Sequence, residues 1–280
     1  MAQTINTNLL SINAQRNIAS SQASLSVSMQ RLSSGLRLNS AKDDAAGLAI
    51  SERMNAQVRG MNVAIRNAND GISMAQTAEG AASKIGDSLQ RMRELAVQSA
   101  NGTNNGSDRD NLQTEFKELQ AEVTRLVAGT KFNDQVLLNG TGGTGGTFTF
   151  QIGAGTDSAD TLDVVMDDLT STDTAVAALD ISGADATGAT SALTALDTAI
   201  DAVTTARANF GAVQNRFDSV IANLQVNSEN LTSARSRIVD ADFAVETANL
   251  SRAQILQQAG NAMIAQANQQ PQQVLALLRG

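Results

Sequence analysis

Residues 210–255 read FGAVQNRFDSVIANLQVNSENLTSARSRIVDADFAVETANLSRAQI, and their spacing decides the architecture. Phe210, Phe217, Leu224, Leu231, Ile238 and Val245 fall seven apart. Val213, Val220, Asn227, Ala234, Ala241, Ala248 and Ile255 hold the offset register. Such a/d spacing, sustained beyond three or four heptads, predicts a long helix packed along its length against other helices. At 1.5 Å per residue it would run roughly 65–70 Å, too long for one compact globule to bury. Its partners must come from elsewhere in the chain or from other copies. Few charges flank the seam at Gln214, Ile221, Ser228 and Arg235, and Ile221 widens the apolar face toward several neighbours rather than a two-stranded zipper.

Working outward from that stretch, composition narrows the function. The 280 residues are 42% hydrophobic, yet include seven Phe and no Trp, Tyr, His or Cys, so Ala and aliphatics carry the packing. Length allows one or two domains. Without His or Cys the commonest general base, the strongest nucleophile and the usual zinc ligands are missing, which argues against an enzyme and against cofactors. A net charge of −8 disfavours nucleic acid as a partner. The apolar runs fall short of the ~18–20 residues of a membrane span, so no membrane insertion is expected. Met1 to Ile18 offers no basic segment followed by an apolar core, so no cleaved Sec-type signal is expected.

Residues Met1 to Leu38 read as an amphipathic helix: Ile18, Leu25 and Leu32 are seven apart, with Met29 and Leu36 offset. Gly35 and Asn39-Ser40 interrupt it, and Asp43-Asp44 mark the next N-terminus. A second helix is expected over Ala45–Ala100. Its Gly60, Gly71, Gly80 and Gly86 each cost about 1 kcal/mol against Ala, which points to close neighbours. Asn101 to Gly106 is a turn, Ser107 with Asp108 and Asp110 opens a third helix through Leu112, Phe116, Leu119, Val123 and Leu126, and Gly129 closes it. Short strands are expected in the middle, one ending Val136-Leu137-Leu138, and Thr147–Ile152 paired with Thr161–Met166. Ser171–Thr190 lacks periodicity and reads as an exposed loop, and a helix resumes near Ser191. Ile255, Ala259, Met263, Ala267, Val274, Leu275, Leu277 and Leu278 give an apolar C-terminus that Pro271 breaks or caps. The two terminal stripes are each short of a partner and are expected to pair with each other.

The remaining motifs have bland readings. Asn139–Gly146 lacks the Lys-Ser/Thr ending of a phosphate loop and reads as a flexible turn. Asp157, Asp160, Asp163, Asp167 and Asp168 do not follow calcium-loop spacing and read as a solvated face. Asn101, Asn105 and Asn139 begin Asn-x-Ser/Thr triplets that an Asn- and Thr-rich chain produces by chance. Gln90 to Leu95 concentrates charge, either as a solvated face with an Arg91–Glu94 pair or as a contact to another subunit.

Longer stretches are more specific. Ala2 to Asn8, Arg31 to Arg37, Asn39 to Gly47, Arg66 to Ile72, Gln90 to Gln98, Phe132-Asn133, Ala212 to Arg216, Ala234 to Ala241 and Ser251 to Gly260 together resemble bacterial flagellins. Only about Gly140 to Ala206 departs, being too short for large outer domains. The resemblance implies a mainly α fold: a long coiled-coil-like bundle of paired N- and C-terminal segments with a small β-hairpin in the middle. Residues 1–40 and 241–280 would form an inner, channel-lining domain, packed through Ile18, Leu25, Met29, Leu32, Leu36, Ile255, Met263, Val274, Leu275, Leu277 and Leu278. Residues 41–170 and 191–240 would form a second domain around the seam Phe210, Val213, Phe217, Val220, Leu224, Leu231 and Ile238, with 171–190 a short variable loop.

The implied function is an extracellular, self-assembling subunit of the flagellar filament, serving motility. It would be exported unfolded by the flagellar export apparatus with a chaperone on its C-terminal helical segment, and would meet hook-associated and cap proteins. Gln90, Arg91, Leu95 and Glu115 match the surface that a host Toll-like flagellin receptor reads. The terminal stripes, bare in a free subunit, would order on assembly, since ordering costs about 1–2 kcal/mol per residue and needs burial to offset it. The rivals are a hook–filament junction protein and a secreted helical adaptor, both of which stop growing at a limited size. An inserted metalloprotease is ruled out for a chain without His.

Overall fold

The structure is a computed structural model that describes the backbone of residues 7–279 and the side-chain surroundings of residues 7–269. Its order is α1 (Leu9–Ser34), α2 (Ala45–Ala100), α3 (Gly106–Gly129), β1 (Lys131–Phe132), β2 (Gln135–Val136), β3 (Thr147–Gln151), β4 (Thr161–Val165), α4 (Thr170–Ala177), α5 (Thr187–Val239) and α6 (Phe243–Arg279). The contacts divide the chain into two units, residues 1–55 with 230–280 and residues 56–229.

Polar side chains set the helix ends. Asn8 accepts from the Ser11 N–H at the start of α1, and Gly35 ends it at φ +70°, where L side chains are strained. Asp44 accepts from the amides of Ala46 and Gly47 at 3.0 Å, which starts α2 at the expected Ala45. The cap of α3 is Asn105 rather than Ser107: its side chain accepts from the Asp108 amide while Asp108 accepts from the Asn105 amide.

In the larger unit α2 and α5 run antiparallel over their facing stretches. Gly71 meets the Phe217 ring, Gln214 donates to Glu79 at 3.0 Å, and Arg93 pairs with Asp197 at 2.6 Å. Phe116, Phe210, Phe217, Ile85, Leu89, Met92 and Leu196 fill the core between α2, α3 and α5. The β3–β4 hairpin pairs the two stretches expected, with Phe148 opposite Val164 and Phe150 opposite Leu162. Phe150 meets Phe217 edge to face, centroids 5.3 Å apart. The seam of α5 is graded: Phe210, Phe217 and Leu224 are buried, whereas Val213, Val220, Leu231 and Ile238 are half-buried.

Several expectations need correction. The helix expected to run unbroken from the Phe210 seam to Ile255 stops at Val239. Asp242 then accepts from the amides of Ala244 and Val245, opening α6 afresh and resetting the register, so that Val245 and Ile255 turn outward. The expected exposed loop 171–190 instead contains α4 and buries Val176 and Ile181. Gln120 donates to the carbonyls of Val176 and Leu179, Gln113 accepts from the Ile181 amide, and Ser99 donates to the Ile181 carbonyl. Arg109, itself buried, donates to the carbonyls of Ser99 and Ala184. Four polar side chains thus hold this segment by its backbone, which side-chain periodicity does not record. Pro271 does not interrupt α6. Asn133 and Asp134, at φ 47° and 63°, turn a two-stranded hairpin (β1–β2) whose second strand stops at Val136, short of the Leu138 at which the expected strand ended.

Candidate functional site

In the smaller unit α1 and α6 pack antiparallel along a seam of small and polar residues. On α1 the inward positions are Ser11, Ala14, Ile18, Ser21, Leu25, Ser28 and Leu32; Ser11 and Ser28 are fully buried and the rest half-buried. On α6 they are Glu246, Leu250, Ala253, Gln257, Gly260, Ile264 and Ala267, of which Glu246 and Ala253 are buried. The backbones lie close: a Cβ on Gly260 would stand 2.5 Å from Ile18 Cγ1. Asn8 donates to the Ala267 carbonyl at 2.7 Å and Ser11 to Asn268 Oδ1 at 3.0 Å. At the other end Arg31 stands 3.8 Å from buried Glu246.

The same unit ties together its two helix breaks. The Arg37 amide donates to the Val239 carbonyl at 2.6 Å, the Ala241 amide to Gly35, and the Arg37 guanidinium to the Ile238 carbonyl at the end of α5. Asp43 accepts from the amides of Asn39 and Ser40, and these bonds to its charged form hold its pKa below the ordinary 3.8.

The pair also leaves many of its larger apolar residues outside the seam. Leu9, Leu10, Ile12, Val27 and Met29 of α1 and Phe243, Val245, Ile255, Leu256 and Met263 of α6 are all exposed. Of the expected inner packing residues, Ile18, Leu25, Leu32 and Leu36 are therefore half-buried, while Met29 at 58%, Ile255 at 65% and Met263 at 65% exposure are bare. Val274, Leu275, Leu277 and Leu278 lie outside the described side chains. Beside the seam runs an open groove of about 600 Å³, lined by Ser24, Val27 and Arg31 on one side and Asn249, Arg252 and Leu256 on the other.

The charged stretch of α2 makes contacts within the chain. Arg91 pairs with Glu94 at 2.9 Å and reaches across to Glu115 of α3 at 2.8 Å. Its hydrogen bonds donated to Glu94 and then Glu115 raise its pKa. Gln90 and Glu115 are exposed, but Leu95 is 1% exposed and belongs to the core, which removes it from the surface expected of it. The acids of the middle are engaged locally: Asp163 accepts from Thr149, Asp167 from Asn209 and Asp168 from the Thr170 amide. Among the described residues no group of three or more acids could hold a metal ion, and no helix is long and apolar enough to cross a membrane.

Comparison with known proteins agrees with this arrangement of terminal helices. The bacterial flagellin N-terminal helical region matches residues 5–142, and the flagellin C-terminal helical region matches residues 193–278. The chain belongs to the flagellin family. A flagellin of Halalkalibacterium halodurans is 50% identical over 275 residues, spanning 98% of this chain and 99% of the relative. Flagellin of Bacillus subtilis is 41% identical over 304 residues, covering 98% and 99%. A flagellar hook-associated protein of Vibrio parahaemolyticus shares the fold, with a TM-score of 0.58 at 15% identity, over 71% of this chain and 100% of that one.

This flagellin is a structural subunit that self-assembles into the extracellular filament of the bacterial flagellum. Full-length identity to flagellins, against fold-level likeness to a hook-associated protein, sets the filament subunit above the junction protein. What the sequence did not disclose is the small-residue seam. Glu246, Ala253, Gly260 and Ala267 recur every seven residues, a signal that a search confined to large apolar residues passes over.

Proposed function

We propose that this flagellin polymerises through the apolar residues its own α1–α6 pair leaves bare, and that the pair orders on assembly. The observation that carries this is the set of large apolar residues the pair leaves bare, Leu9, Leu10, Ile12 and Met29 on α1 and Phe243, Val245, Ile255, Leu256 and Met263 on α6, beside a seam whose own leucines and isoleucines are half-buried. A buried Leu or Ile contributes about 1.5–3 kcal/mol. Ordering a residue costs about 1–2 kcal/mol of backbone entropy, so a seam in which Ile18, Leu25, Leu32, Leu250 and Ile264 are half-buried among Ser, Ala and Gly offsets only part of its own cost. Neighbouring copies that cover the bare residues make up the difference. A contact between unlike surfaces that does not close on itself yields an open helix, the filament.

In this reading residues 1–40 and 241–280 supply the inner, channel-lining domain, and residues 41–170 and 191–240 supply the second domain. Export without a cleaved signal, a chaperone on the C-terminal helical segment, and contacts with hook-associated and cap proteins accompany it. The surface offered to a host receptor is narrowed to Gln90, Arg91 and Glu115.

Seeded elongation tests the reading. Purified chain is added to short filament fragments and followed by light scattering and electron microscopy, alongside a chain lacking residues 241–280 and the double variant Ile255→Ser, Leu256→Ser. The intact chain should elongate, the shortened chain should not, and the double variant should elongate slowly with unchanged cooperative melting of the larger unit. Equal growth of the shortened chain would overturn the role of the terminal pair.

A further inference from the structure

We propose that Met29 and Met263 form a sulfoxidation site through which peroxide closes the free subunit to polymerisation; the proposal rests on the assembly reading above. The chain has no Cys, Trp, Tyr or His, so its eight methionines are its readily oxidised side chains. They are unequally shielded. Met74, Met92 and Met166 are at most 2% exposed, and Met54 and Met61 are half-buried. Met29 and Met263 stand at 58% and 65% exposure, on α1 and α6 respectively, outside the seam that joins the two helices. Oxidation follows access, so among the methionines whose side chains the structure describes these two thioethers react first.

The chemistry needs one two-electron oxidant of the peroxide class. The thioether sulfur attacks one oxygen of hydrogen peroxide, an S–O bond forms as the O–O bond breaks, and the leaving hydroxide takes up a proton as water. Sulfur loses two electrons and the peroxide gains them: thioether plus hydrogen peroxide gives sulfoxide plus water. The product is a polar, chiral side chain in place of a flexible apolar one. Both sites lie among the residues assigned to neighbouring copies, so every oxidised subunit brings two polar groups to an apolar contact. Both lie in the smaller unit, so the core of the larger unit keeps its own side chains while the joining surface is spoiled. Once a subunit is in the filament, the same contact shields both sulfurs. The device therefore acts on subunits before assembly, and the two sulfoxide reductases reverse it.

The test treats purified full-length subunits and preformed filaments with hydrogen peroxide, maps oxidation by peptide mass spectrometry, and then measures seeded elongation. Met29 and Met263 should convert first in subunits and several-fold more slowly in filaments. Oxidised subunits should elongate roughly tenfold or more slowly with unchanged circular dichroism, the loss expected when a buried apolar side chain turns polar. Sulfoxide reductase treatment should restore the rate, and the double variant Met29→Leu, Met263→Leu should keep its rate through peroxide. Undiminished elongation of the oxidised wild type, or equal loss in the double variant, would overturn the oxidation site alone. Failure of the untreated chain to elongate would instead overturn the assembly reading, and this proposal with it.

Discussion

Gly71 and Gly80 lie on the same face-packed helix, yet the same substitution should act on them with opposite sign. A Cβ at position 71 would stand 2.5 Å from Cζ of Phe217, a ring that is fully buried and braced edge to face by Phe150. Gly71→Ala should therefore destabilise by about 1–3 kcal/mol as overpacking. Nothing lies within 4 Å of a Cβ at position 80, and Gly80→Ala should stabilise by up to about 1 kcal/mol through helix propensity. Urea midpoints of the two variants, compared with the parent, check both signs. Arg109→Met makes a third case, leaving the Ser99 and Ala184 carbonyls without their donor at about 1–3 kcal/mol for each acceptor that water cannot reach. Faster amide exchange over 181–184 would register it. The cost of four helix glycines was legible in the sequence. Which of them meets a neighbour was not, because that depends on residues far along the chain, Ala154 for Gly60 and Phe217 for Gly71.

At the scale of elements, capping and pH provide the tests. Asn105→Ala removes one half of the α3 capping box and should cost about 1 kcal/mol, read as a lower melting temperature. Asp43 and Asp185 accept backbone N–H bonds, and Asp180 accepts from the Ser182 hydroxyl and then its amide, bonds that lower all three pKa values below 3.8 in the folded chain. A depressed carboxyl contributes stability that is present above its unfolded value and disappears as pH falls through the folded value. The connections around 39–44 and 180–187 should therefore loosen only in acid below the ordinary aspartate range. Carboxyl titration by NMR gives the midpoints, and Asp43→Asn should remove the effect from the first connection. The bounds of α2 were legible because Asp43-Asp44 and the Asn-Gly turn punctuate both ends. α4 was not, since an Ala, Thr and Asp composition carries no apolar period, and its hold on the chain comes from Gln113 and Gln120 reaching backbone atoms. The break at Asp240–Asp242 hid inside an intact heptad count: the seven-residue spacing survives a helix end that resets its register.

At the scale of the whole molecule, the pairing of N- and C-terminal helices, the central hairpin and the family were all visible in the sequence. Leu and Ile stripes predicted that α1 and α6 would meet. They put Ile18, Leu25 and Leu32 on the meeting face, but did not predict that Ser11, Ser28, Ala253 and Gly260 would be among its most enclosed positions, with Ile255 and Met263 turned away. A stripe can serve a partner in the same chain or in another copy, and spacing alone does not distinguish them. The central claim is that the α1–α6 pair gains its order from neighbouring subunits. Hydrogen exchange with mass spectrometry, on free subunits and on filaments, tests it most directly. Covering even one or two bare Leu or Ile residues per helix should slow exchange in α1 and α6 roughly a hundredfold or more on assembly. Over the same step the buried stretch of α2 around Leu89 to Ala96 should change little. Equal protection of α1 and α6 in subunit and filament would contradict the account.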